Sequence, residues 1–144
     1  MYDTEMINAP GRLSELEKLV KSFEDCTLDP AKFHHRDHLA VALWYEHGNS
    51  GDLPSDGFRT SLLGFVQHHQ LTHVYHETIT LFWIKMVHHF YRTSGNQMEL
   101  TELVERINEE YGNHRVIYDY YSKELLDSGE AKLRWVEPDL KPLY

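Results

Sequence analysis

The chain has 144 residues, 41% of them hydrophobic and 26% charged, which is the balance of one globular domain able to bury a core without staples. Its formal charge of −9, with histidine neutral, argues against a nucleic-acid or anionic-membrane partner, because both require clustered positive charge. The single cysteine, Cys26, excludes an intrachain disulfide and a multi-thiolate metal site, and it suits a cytoplasmic protein.

In chain order, the opening MYDTEMINAPGRLSE lacks the basic start and apolar core of a signal peptide, and no apolar run reaches membrane-spanning length. Leu13, Leu16, Leu19, Val20 and Phe23 then recur at three- and four-residue spacing and predict a helix over 13–25. Asp29 before Pro30 reads as a cap with proline in the first turn of a short helix. The segment FHHRDHLAVALWYEHG carries the next helix. Its run from Leu39 to Tyr45 is apolar almost all round, which points to a central, buried position. NSGDLPSDG is a loop by its glycines and proline.

The third helix is expected over 55–69, with Phe58, Leu62, Phe65, Val66 and His69 on one face. The fourth is YHETITLFWIKMVHHFYRT, striped by Tyr75, Ile79, Phe82, Trp83, Met86 and Phe90 and stopped at Gly95. Its start, Thr78-Ile79-Thr80, also suits a strand, but the later period is helical. The fifth, Met98 to Tyr111, turns Leu100, Leu103, Val104 and Ile107 inward and most of its glutamates outward. A last helical pair spans roughly 115–135, with Ser122 and Ser128 as N-caps, and the two prolines of VEPDLKPLY predict an extended tail. The expected architecture is all-α: a single domain over 1–144 built as an irregular bundle of five or six helices. Residues 1–11 and 137–144 are expected to be extended or poorly ordered.

Eleven histidines lie within the chain, between His34 and His114. Helices joined by short loops run antiparallel, so the starts of helices two and four should meet the finish of helix three at one pole. That places His34, His35, His38, His68, His69, His73 and His76 together, and His47, His88 and His89 at the opposite pole. His35 and His38 are three apart and share a helix face, while His76 and Thr80 are four apart with Trp83 a turn further on. Imidazoles from two helices, with Asp37 or Glu77 nearby, form a ligand set that one divalent metal, zinc or iron, accepts. His35, His38 and His76 are therefore the candidate metal ligands, and Arg36, Tyr75, Thr80 and Trp83 the candidate pocket lining. HETIT is not the zincin motif, because Thr80 stands where the second histidine belongs. The same pole suits a small anionic ligand held at two helix N-termini, or a histidine general base. Against these stands a structural use for each ring, bonded to a backbone carbonyl or a carboxylate. Cys26 reads as a small packing residue, with no catalytic context around it.

The segments FHHRDHLAVALWY, YHETITLFW and YYSKELLDSGEAKLRWVEPDLKPL resemble, in that order, a family of small uncharacterised all-helical proteins. That resemblance implies the helical fold and draws attention to the F-x-H-x-x-H-L, Y-H-E-T-x-T and P-D-L-x-P-L segments; it implies no reaction. The function expected from sequence is a polar, histidine-lined pocket between the helices starting near 36 and 76, for a divalent metal or a small anionic molecule. The alternative is a non-enzymatic regulatory module, or a homo-oligomeric interaction module, whose histidines are structural.

Overall fold

A computed structural model describes residues 13–48, 55–95 and 98–144, and every regular element among them is helical. The segments expected as an extended N-terminus and as the loop after residue 48 fall largely outside the described residues, as do residues 96–97. The helices are α1 (Leu13–Glu24), α2 (His35–Gly48), α3 (Ser55–His68), α4 (Glu77–Phe90), α5 (Leu100–Tyr111), α6 (Lys123–Leu126) and α7 (Gly129–Leu133). Short 3-10 turns lie at Pro30–Lys32 and His114–Asp119, and a π turn at Tyr91–Gly95 extends α4.

The centre of the bundle is α2, which packs against α1, α3, α4 and α5. Its run Leu39 to Leu43 is buried on consecutive residues, as its unbroken apolar sequence requires. Around it, Leu16, Val20 and Phe23 of α1, Phe58, Leu62 and Phe65 of α3, and Leu103, Val104 and Ile107 of α5 complete one cluster. A second cluster forms where Phe82 and Met86 of α4 meet Ile117, Tyr121 and Leu126. Trp83 and Tyr111 pack against both clusters.

Local chemistry explains most of the helix ends. Asp29 accepts from the Ala31 N–H, Ser122 from Leu125 and Ser128 from Ala131, each with an extended backbone at the cap. α1 and α3 close differently, through Cys26 (φ 64°) and Gln70 (φ 58°), both in the left-handed region that usually takes glycine. In each case the following amide reaches back five residues, Thr27 to the Ser22 carbonyl and Leu71 to the Val66 carbonyl. Cys26 is half-buried against the core, in keeping with a packing role.

The segment after α7 is irregular but tied down, with bends at 139–141 within the stretch expected to be extended or poorly ordered. Thr78, fully buried on α4, donates to the Arg134 carbonyl at 2.7 Å and accepts from the Val136 N–H at 3.2 Å. The Tyr121 hydroxyl donates to the Val136 carbonyl, and the Asp139 carboxylate accepts from both the Ser122 N–H and its hydroxyl. Thr78→Val keeps the shape of the side chain but leaves the Arg134 carbonyl and the Val136 N–H without this partner. Urea titration is expected to show a loss of about 2 kcal/mol. An unchanged midpoint would mean that the clasp is re-formed by other groups.

Candidate functional site

The pole predicted from helix parity is assembled as expected. The start of α2, the second half of α3 and the start of α4 meet there. Two adjoining cavities open between these helices: the first runs on along them as far as Phe58 and Val87, and the second lies at the pole itself. The first, of about 300 Å³, is walled by Leu39 and Ala42 of α2, Phe58 and Leu62 of α3, and Ile79, Trp83, Ile84 and Val87 of α4. Its polar lining is confined to His35, His38, Thr80 and His114. The second, of about 410 Å³, lies toward Phe33, Phe65, Leu71, Val74, Tyr75 and His76. His38, Leu62, Ile79 and Thr80 belong to both and form the wall between them.

These walls are apolar, where a polar pocket was expected. The reason is periodicity: the face of α2 that carries His35 and His38 continues as Leu39 and Ala42, and the face of α4 that carries Thr80 continues as Trp83, Ile84 and Val87. The imidazoles crown an apolar slot.

His35 donates from Nε2 to the Tyr111 carbonyl at 2.9 Å and meets the Trp83 ring edge-on at 4.5 Å. Burial lowers its pKa below the ordinary histidine value, and His114, 6.2 Å away between ring centroids, lowers it further; the Tyr111 carbonyl pulls the other way. His38 stacks flat on Phe33 at 3.9 Å and 18°. Burial, reinforced by repulsion from His35, lowers its pKa to about 4, against the opposing pull of a hydrogen bond to the Phe33 carbonyl. Both rings are therefore neutral at pH 7, and His35 has its N–H turned onto a backbone carbonyl.

His76 behaves differently. It is the N-cap of α4, with φ −133° and ψ 113°; its Nδ1 accepts from the Ile79 N–H at 3.1 Å, and its Nε2 donates to the Leu126 carbonyl at 2.8 Å. Both ring nitrogens are committed to the backbone. His35 joins His38 on the first cavity, and His76 joins His38 on the second. Among the described residues, no group of three His, Cys, Asp or Glu side chains is placed to hold a metal ion, so the expected set of His35, His38 and His76 around zinc or iron is not assembled.

Side chains bond one backbone amide at each of the two helix starts. His76 occupies the Ile79 amide at the start of α4, and the Asp37 carboxylate accepts from the His34 N–H at the start of α2. Arg36 is exposed and lines neither cavity, because one helical step from His35 turns it off the buried seam. Tyr75, Thr80 and Trp83 do line the cavities. Tyr75 donates to Glu77 at 2.7 Å, and Arg59 holds the same carboxylate through two nitrogens at 2.8 and 3.1 Å. Burial and the Glu77 carboxylate push the Tyr75 hydroxyl up to about 12, partly offset by a hydrogen bond with Thr80. His34, His68 and His73 are exposed.

At the opposite pole, His88 of α4 donates from Nδ1 to both oxygens of Glu46 at 3.0 Å, and Glu46 is 4% exposed. The site residue that sequence reasoning passed over is His114. Its signal was present: Gly112-Asn113 ends α5 at the pole where α2 begins, so the next residue arrives at the same cavity mouth. No helix of the described residues is long and apolar enough to cross a membrane. No protein-family model, curated protein or solved structure matches the chain, so its function is read from this geometry.

Proposed function

We propose that the chain is a small-molecule-binding domain whose ligand, compact and largely apolar, lodges between α2, α3 and α4 beneath His35 and His38. One observation carries this reading: a cavity of about 300 Å³ with mainly apolar walls from three helices and four polar side chains in its lining. Well-packed interiors leave few voids larger than a water molecule, whereas ligand sites are concave, mainly apolar and marked by a few polar groups. Neutral imidazoles and a −9 chain favour an uncharged guest over an anion.

Calorimetric titration with two neutral bicyclic probes, 2-naphthol and 2-methoxynaphthalene, tests it. Saturable binding of at least one is expected. Ala42→Phe places a ring in the cavity and should weaken that binding more than about tenfold, a loss of about 1.4 kcal/mol, with the helical circular dichroism unchanged. Absence of saturable heat with both probes, or equal binding by the filled variant, would overturn the proposal.

A further inference from the structure

We infer that the first cavity selects for a hydrogen-bond donor: its ligand is an uncharged aromatic or alicyclic alcohol, phenol or N–H heterocycle whose donor is accepted by the free nitrogens of His35 and His38. This rests on the small-molecule reading above and specifies the chemistry of the guest.

A neutral imidazole has one N–H and one bare nitrogen, and the partner of the first decides what the second offers. Carbonyl oxygens cannot donate, so the Tyr111 carbonyl fixes the proton of His35 on Nε2 and leaves Nδ1 as an acceptor. His38, neutral and set in the same lining, likewise has one bare nitrogen. The two rings stand one turn apart on α2, and both line the same cavity. The rest of the polar lining is Thr80, whose hydroxyl accepts as readily as it donates, and His114, which is exposed to solvent.

The rest of the lining sharpens the choice. An anion would meet two imidazole lone pairs and apolar walls, with only the Thr80 hydroxyl and the exposed His114 ring to offer a donor. A cation would find no carboxylate, since none lines the cavity among the described residues, and burying an unpaired charge is costly. An acceptor-only molecule of the same size would leave both imidazole nitrogens dry and unpaired, the mismatch that polar sites reject most strongly. The Trp83 ring and the aliphatic side chains from three helices fit a flat or compact hydrocarbon body.

Four probes of one size separate these outcomes: 2-naphthol, 2-methoxynaphthalene, naphthalene and 2-naphthoate. On the intact chain at pH 7.5, 2-naphthol is expected to bind at least about tenfold more tightly than 2-methoxynaphthalene, the size of one well-made buried hydrogen bond. Both should bind more tightly than 2-naphthoate. His38→Phe, which keeps the ring stack on Phe33, should reduce the preference to less than about threefold while naphthalene still binds, and His35→Leu should act in the same direction should His38→Phe not fold. Equal affinity for the hydroxy and methoxy probes in the wild-type chain would overturn the inference and leave the pocket standing, as would tighter binding of 2-naphthoate. Failure of all four probes would remove the pocket and the inference together.

Discussion

Acidification from pH 7 to pH 5 is expected to cost about 2 kcal/mol of stability through His38 alone, rising to about 3 kcal/mol by pH 4. In the unfolded chain His38 takes up a proton near pH 6.5, whereas in the fold it does so only at about pH 4, chiefly because of burial. The unfolded state therefore binds the proton first, and acid favours unfolding between those two values. His35 adds to the trend in the same direction, since its pKa is also lowered. Glu46 works against it, because burial raises its carboxyl and acid relieves the charge. The clean measurement is a difference: urea unfolding free energies of wild type and His38→Phe at pH 7 and pH 5. The gap between them should shrink, or reverse, by about 2 kcal/mol on acidification. A gap independent of pH would show that His38 is hydrated in the fold.

His88→Ala is expected to be among the most damaging single changes away from the cavity, at about 3 kcal/mol at pH 8, because it leaves the Glu46 carboxylate buried without its donor. The sign with pH follows from the raised carboxyl. A group whose folded pKa lies above its unfolded value is harmless while protonated and becomes costly as pH rises through the folded pKa. Removing His88, whose hydrogen bond and charge hold that value down, pushes it higher still. The deficit of the variant should therefore narrow as pH falls from 8 toward 5. Glu46→Gln in the same background should recover part of the loss at pH 8, since a neutral amide carries no unpaired charge. A deficit that does not change with pH, or no rescue by glutamine, would show that the Glu46 carboxylate is not buried on the His88 N–H.

Much of this molecule was legible in its residues. Three-and-four spacing located α1, α3 and α5 to within a residue or two, because packing against a core imposes that spacing. Ser122 and Ser128 announced α6 and α7 because a cap hydroxyl has few other reasons to sit three residues before a helical amide it can bond. Leu39, Ala42, Ile79 and Trp83 were readable as a buried seam, and they line the cavity.

The role of His76 was not legible. Reading it as a helical residue put it on the face of Thr80, but a cap has extended backbone, and its ring folds back over the helix end instead of along the helix. Histidine is not a usual cap, so nothing in its identity gave the position away. The closures at Cys26 and Gln70 were hidden for a related reason: a left-handed residue without glycine leaves no compositional mark. The apolar character of the pocket is not legible in the histidine count, because most of its walls come from residues that any core helix carries.

Trp83 touches both core clusters, lines the first cavity and meets the His35 ring edge-on. Trp44 and Trp135 lie outside that cavity lining. The protein thus carries a built-in fluorophore at the joint of its two halves. An imidazolium quenches a neighbouring indole more strongly than a neutral imidazole does, so emission from Trp83 reports the protonation of His35 optically. The same emission responds to a guest entering the slot and to separation of the two clusters, on timescales from nanoseconds in its lifetime to seconds in stopped flow.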